Sequence, residues 1–290
     1  MDALGSLREW PVEHAAAGVV QAGRTAGAPE FLLEVAGEDD RPFEWASVTK
    51  LATSLAVLIA AEEGTLALED PAGPPGSTVR HLLAHASGLG PDAGPPVAAP
   101  GTQRIYSNAG YEVLAGLVEA RAGIPFAEYL ALGVTEPLGM SATTLDPPSP
   151  AGAAAGLRGP IGDLLALAAE LLSPTLVSTG THRMSVSVQF GDLAGVLPGF
   201  GRYAPCEWGL GPEIRGGKHP HWTGTANAPS TFGHFGRSGS FLWVDPVAGL
   251  SCAALAGRPF GPWAARAWPA LSDAVLADKA PTSPGPVRDQ

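Results

Sequence analysis

An α+β fold is predicted by three features of this sequence: apolar runs of strand length at both chain ends, helical periodicity between them, and enough apolar residues to bury a large core. The expected architecture is an antiparallel sheet flanked by helices, built from N- and C-terminal segments, with an all-helical lobe inserted between them. Residues 15–21 (AAAGVVQ) and 31–36 (FLLEVA), parted by the Gly-rich stretch 23–29, read as an antiparallel hairpin. From Ser47 onward Val48, Leu51, Leu55 and Leu58 recur at steps of three and four until Gly64, the pattern of a helix buried along one face. Turn-rich connectors at 70–77 and 88–101 enclose a short helical piece at 78–85. Helices follow near 109–122, where Gly123 and Pro125 stop the run, near 126–132 and at 161–172, and no strand periodicity is visible in this middle region. Strand signals resume at 208–214, 232–236, 240–244 and 250–256, the last pair joined across Asp245, Pro246 and Gly249. A C-terminal helix lies within 262–279, restarted or kinked at Pro269. The expected division is an α/β lobe of residues 1–75 and 185–280, a helical lobe of 76–184, and a flexible tail of 281–290.

Composition narrows the function. The chain has 290 residues, 45% of them hydrophobic and 16% charged, with a net charge of −11. That field repels phosphate backbones and anionic lipid, so neither nucleic acid nor a membrane surface is an expected partner. The most apolar stretch, 51–61, is interrupted by Thr53 and Ser54 and falls short of the roughly 20 residues a membrane span needs. Met1 and Asp2, then Glu9, Trp10 and Pro11, make no secretory signal, and a cytoplasmic location is expected. Cys206 and Cys252 are accordingly expected as free thiols, Cys252 as a small buried hydrophobe.

Three short constellations carry the chemistry. Ser47-Val48-Thr49-Lys50 sets a hydroxyl and an amine one helical turn apart on the same face, at the helix end whose dipole favours an alkoxide. A capping serine beside a solvated lysine is the bland alternative. With 18 serines and only 3 lysines in the chain, coincidence supplies roughly 0.2 such pairs. Lys50 also interrupts an apolar helix, where desolvation lowers an amine toward the general-base range. Tyr106-Ser107-Asn108 follows a Pro/Gly loop and precedes a helix; taken alone, Asn108 reads as an N-cap and Tyr106 as a packing residue. His234-Phe235-Gly236 lies in a strand candidate, where glycine permits a ligand to approach the backbone.

In the order Ser-x-x-Lys, Tyr-x-Asn, His-x-Gly, these motifs resemble those of the serine β-lactamase and penicillin-binding-protein superfamily, in its class C-like branch. The flanking segments FEWASVTK (43–50), TVRHLLAHASGL (78–89), GTQRIYSNAGYEVLAG (101–116), EPLGM (136–140) and GHFGRSGSFLWVDP (233–246) are similar to blocks of that family. The resemblance implies a β-lactamase/transpeptidase-like fold and an acyl-enzyme on Ser47. It implies that Lys50 and Tyr106 share the proton transfers, and that the backbone N–H groups of Ser47 and Arg237 form the oxyanion hole. Asn108, His234 and Gly236 would bind substrate, Asn108 also holding Lys50. No metal or cofactor is implied. Which of Lys50 and Tyr106 is the base stays open at this point.

The third motif departs from the lysine-led form that binds a substrate carboxylate: it begins with His234, largely neutral at pH 7, and Phe235 lacks the hydroxyl often found there. An esterase or amidase acting on a small ester, amide or lactam is therefore expected ahead of an efficient β-lactamase or D-peptidase. An acyltransferase is the near alternative, and a non-catalytic ligand-binding pseudoenzyme the alternative from another class. The sequence leaves the oligomeric state open. His81 and His85 are four apart, but Leu82 stands where a zinc peptidase needs glutamate, so His85 is read as structural. His219 and His221 read as a surface loop without a third ligand. Gly236-Arg237-Ser238-Gly239-Ser240 lacks the final glycine of a nucleophile elbow. Trp208, Trp222 and Trp243 are candidates either for an acyl pocket or for the core.

Overall fold

In the computed structural model, residues 3–23 and 31–279 are described. The expected tail at 281–290, and most of the expected break between the first two strands, lie outside the described residues. The strands are β1 (Ala15–Ala22), β2 (Phe31–Gly37), β3 (Phe43–Glu44), β4 (Thr144–Leu145), β5 (Leu157–Gly159), β6 (Gly195–Leu197), β7 (Gly201–Tyr203), β8 (Glu213–Ile214), β9 (Phe232–Gly236), β10 (Ser240–Asp245) and β11 (Leu250–Ala256). The helices are α1 (Thr49–Glu62), α2 (Val79–Leu83), α3 (Asn108–Ala122), α4 (Phe126–Leu130), α5 (Ile161–Leu172), α6 (Thr179–Ser185) and α7 (Ala264–Lys279).

One six-stranded antiparallel sheet runs β2-β1-β11-β10-β9-β8 and thus joins the two ends of the chain. β1 pairs with β2, Val19 opposite Glu34, and with β11, Val19 opposite Cys252. Successive side chains point to opposite faces, so Phe241 and Trp243 of β10 enter one core and Leu242 and Val244 the other. Trp268, Leu271 and Val275 of α7 cover the first face. Leu165 of α5 lies on the second, where a Cβ on Gly18 would fall 2.5 Å from Leu165 Cδ1. Glycine in β1 is what lets that helix approach. Because both faces of β1, β10 and β11 are covered, these three read as nearly continuous apolar runs, whereas β2 at the sheet edge is exposed. The buried thiols of Cys206 and Cys252 are free.

Several expectations change. Helix α1 begins at Thr49, not Ser47, and every residue from Thr49 to Ala60 is buried, so it is enclosed on all sides rather than along one face. Helix α5 packs on the sheet strands β1, β10 and β11, and so cuts across the expected helical lobe of 76–184. The middle of the chain also contributes strands: β4 and β5 pair, and β5 joins β3 in a three-stranded sheet. Of the expected strand at 208–214 only Glu213–Ile214 forms one, Trp208 reaching Glu213 by a single bridge. Gly209, Gly211 and Pro212 break the run. Helix α7 continues through Pro269.

Candidate active site

Three segments distant in sequence meet beside β9 around a cleft of about 840 Å³, lined by Ser47, Tyr106, Asn108, His234 and Arg237 among others. Ser47 sits in the tight turn Ala46–Val48 that leads into α1. Ala46, just before it, has φ +45°, the left-handed region that a Cβ disfavours, so the turn holds strain where the hydroxyl is presented. The Ser47 hydroxyl does not cap α1, whose N-cap is Val48.

Lys50 follows one turn later and is fully buried. Its Nζ donates to Asn108 Oδ1 at 2.7 Å and to the Ala154 carbonyl at 2.8 Å, and lies 3.4 Å from Ser47 Oγ. Removal from water, with no carboxylate bonded to it, holds this amine well below the ordinary lysine range. Tyr106 donates its O–H to Ser47 Oγ at 2.6 Å. Burial raises this phenol above its ordinary range, against the lowering effect of the bond to Ser47. Asn108 is free to hold Lys50 because the neighbouring Ser107 caps α3, its Oγ accepting the Gly110 N–H at 3.0 Å. The expected capping role belongs to Ser107.

In the third motif His234 lines the cleft, and Gly236 has a packing role as well. A Cβ on Gly236 would lie 2.4 Å from the Trp45 carbonyl oxygen and 3.0 Å from Ala46 Cβ. The turn carrying Ser47 makes a close approach here that needs glycine. Ser238 and Ser240 fix the same junction, their hydroxyls donating to the Glu44 and Trp45 carbonyls at 2.7 Å each. The chain at Arg237 therefore runs beside the Ser47 turn, with its guanidinium exposed at the rim. His234 is buried and its Nδ1–H donates to the Phe235 carbonyl at 2.7 Å, which leaves Nε2 as an acceptor with no protein partner. Burial, reinforced by Lys50, pushes its pKa down to about 3, so the ring is neutral across the physiological range.

Other residues of the site are hard to find by pattern. The Ala154 carbonyl bonded to Lys50 is backbone and has no sequence signal. Arg104 is buried and donates to the carbonyls of Ala84, Gln189, Phe190 and Cys206, tying four segments of the cleft wall together. Desolvation brings its pKa down to about 10. Trp208 lines the cleft, whereas Trp222 and Trp243 belong to the core beneath α7. His221 is not in a surface loop: it is buried, with Nε2 3.0 Å from Glu213 Oε2. Lys218 Nζ and Trp222 Nε1 donate to the same carboxylate at 2.8 and 2.9 Å. Among the described residues no group of three His, Cys, Asp or Glu could hold a metal ion, and no helix is long and apolar enough to cross a membrane.

The family model described as Beta-lactamase matches residues 9–276. A solved structure of a beta-lactamase from Mycobacterium bovis is 50% identical, covers 96% of this chain and 99% of its own, and superposes with a TM-score of 0.91. A beta-lactamase/D-alanine carboxypeptidase from Yersinia pestis shares the fold at 20% identity and TM-score 0.71, over 95% of this chain and 98% of its own. Simvastatin synthase from Aspergillus terreus does so at 17% identity and TM-score 0.74, over 96% of each chain. The Salmonella enteritidis protein named "Putative D-alanyl-D-alanine carboxypeptidase" is 26% identical over 203 residues, which are 56% of this chain and 47% of that protein. The chain thus spans about half the length of the curated relatives it matches.

Proposed function

This chain belongs to the beta-lactamase family, and from that premise we propose that it is a serine hydrolase that cleaves small esters or amides through an acyl-enzyme on Ser47. The observation that carries the reading is the contact of Ser47 Oγ with Tyr106 OH at 2.6 Å and Lys50 Nζ at 3.4 Å, beside an open cleft. A neutral amine has two hydrogens and one lone pair. Asn108 Oδ1 and the Ala154 carbonyl take the two hydrogens of Lys50, so the lone pair faces Ser47. Lys50, its pKa lowered by burial, is in this reading the base that in its neutral form accepts the Ser47 proton as Oγ attacks the carbonyl carbon.

The oxyanion that forms is met by the backbone N–H groups of Ser47 and Arg237. Tyr106, whose buried phenol stays protonated, delivers its proton to the departing alkoxide or amine and regains one from the Lys50 ammonium, which holds the proton taken from Ser47. Water then attacks the ester on Ser47, and the same groups return the enzyme to its starting state. Neutral His234 supplies no cation for a substrate carboxylate and leaves Arg237 at the rim as a partial replacement, which favours esters and amides over acids such as the β-lactams.

The test is intact mass after exposure to a fluorophosphonate, whose fluoride an activated serine displaces, on the wild type and Ser47→Ala. One adduct mapped to Ser47, absent in the variant together with p-nitrophenyl ester turnover, is the expected result. A folded wild-type protein that takes no adduct supports the binding-module alternative instead.

A further inference from the structure

We propose that His85 is a positioning residue that sets the Tyr106 phenol against Ser47, a role that rests on the hydrolase reading above. Tyr106 sits in an irregular segment before α3, where no helix or strand ladder fixes it. His85 supplies what is missing. Its carbonyl accepts the Ile105 N–H at 2.9 Å and its Nδ1 accepts the Ser107 N–H at 3.1 Å, so the two residues flanking Tyr106 are both held by one residue. The imidazole also packs on the Tyr106 ring, centroids 4.7 Å apart, and against Trp208 at 5.0 Å.

The backbone pays for this arrangement. His85 has φ +53°, a left-handed conformation that is strained for a residue with a Cβ, and its ring is buried. From the other side, Arg104 donates to the carbonyl of Ala84, so the turn carrying His85 is anchored on the residue before it. A histidine present only to fill space would require neither an acceptor at Nδ1 nor the strained backbone. Because Nδ1 accepts, the ring proton resides on Nε2 and the ring is neutral, which leaves Tyr106 without a competing charged donor.

The chemistry offers a readout that a purely structural role would not move. A misplaced phenol impairs proton delivery to the leaving group, which matters for an alkyl ester whose alkoxide leaves poorly and little for a p-nitrophenyl ester whose phenolate leaves unaided. Three variants separate the contributions. His85→Asn places an amide oxygen where Nδ1 was and tolerates left-handed φ; His85→Gln places it one bond too far; His85→Ala has no acceptor. Expected for Gln and Ala is a fall in kcat for the alkyl ester of about 10–100-fold, part of the roughly 10²–10⁴ that proton transfer supplies, with KM nearly unchanged. The nitrophenyl ester should lose less than about fivefold, and Asn should stay within about threefold of wild type on both. If Ala fails to fold, the Asn and Gln pair carries the comparison. Equal losses on the two esters, or Asn no better than Gln, overturn the proposal. Failure of the wild type to label with fluorophosphonate overturns the hydrolase reading instead, a separate outcome read on the wild type alone.

Discussion

Replacing Gly236 with alanine should disable the site from a position that contributes no side chain to it. The added Cβ would lie 2.3 Å from Ser240 Oγ, 2.4 Å from the Trp45 carbonyl oxygen and 3.0 Å from Ala46 Cβ. Non-bonded carbon rarely comes closer than about 3 Å to its neighbours, so the backbones must part by roughly 0.6 Å or more at the Trp45 carbonyl. That carbonyl accepts the Ser240 hydroxyl at 2.7 Å and the Val48 N–H at 3.1 Å, and the turn it begins carries Ser47. The displacement is thus passed to a hydroxyl held at 2.6 Å by Tyr106. Overpacking of this kind costs about 1–3 kcal/mol, or about 2–10 °C in Tm for a chain of this size. A misplacement approaching 1 Å costs about 10²-fold in rate, so a fall of about 10–100-fold in kcat/KM is expected, matched by slower fluorophosphonate labelling of Ser47. The assays are p-nitrophenyl ester kinetics and thermal melting on the same preparation. Wild-type rate with wild-type Tm would refute the inference that Gly236 sets the distance between β9 and the Ser47 turn.

Lys50→Met should abolish turnover and, by removing a buried amine that no carboxylate bonds, raise Tm; a melting scan showing a lower Tm would contradict that account of its burial. The active form of Lys50 is the neutral amine, present above its lowered pKa, while Tyr106 must stay protonated below its raised one. The kcat/KM profile should therefore rise through an acidic limb that Lys50 sets and stay level to about pH 10, the ordinary range of a phenol; an acidic limb that Tyr106→Phe removes would show the phenolate to be the base instead. Glu213→Gln breaks a buried carboxylate's pairing with Lys218 and His221 and should cost about 3–5 kcal/mol in urea melts. Burial alone would raise Glu213, but its partners His221 and Lys218 bring it from 4.5 to about 2, so its contribution is complete above the unfolded value and is lost as pH falls from about 4.5 through about 2. Acid titration of wild type and variant should converge over that interval.

The sequence made Ser47 and Lys50 legible as a pair because a helix fixes what three residues' separation means in space. Tyr106, Asn108 and His234 carry no such local ruler; only their order along the chain connects them, and their convergence depends on β9 and the start of α3 arriving at one place. The enclosure of α1 was not legible, since the periodicity of an apolar helix does not say whether a second layer covers its other side. The same reason explains α5, whose apolar stripe is equally suited to helices or to a sheet. β4, with two residues, is shorter than any alternation that could be recognised. Arg104 and the Ala154 carbonyl act through backbone oxygens from distant loops, and backbone oxygens look alike in every sequence.

The closing of the sheet by the two chain ends has a consequence during synthesis. β1 finds β2 within a few residues, but its other neighbour, β11, leaves the ribosome about 230 residues later, roughly 10–50 s at 5–20 residues per second. Throughout that interval Ala16, Ala17, Val19 and Val20, all buried in the finished molecule, present one bare strand edge. A nascent chain stalled between Tyr106 and Leu250 already contains Ser47, Lys50 and Tyr106 yet lacks the last partner strand of β1. Such products should be captured by chaperones or cleared, so that the nucleophile is assembled only in chains that have been read to the end of the sheet.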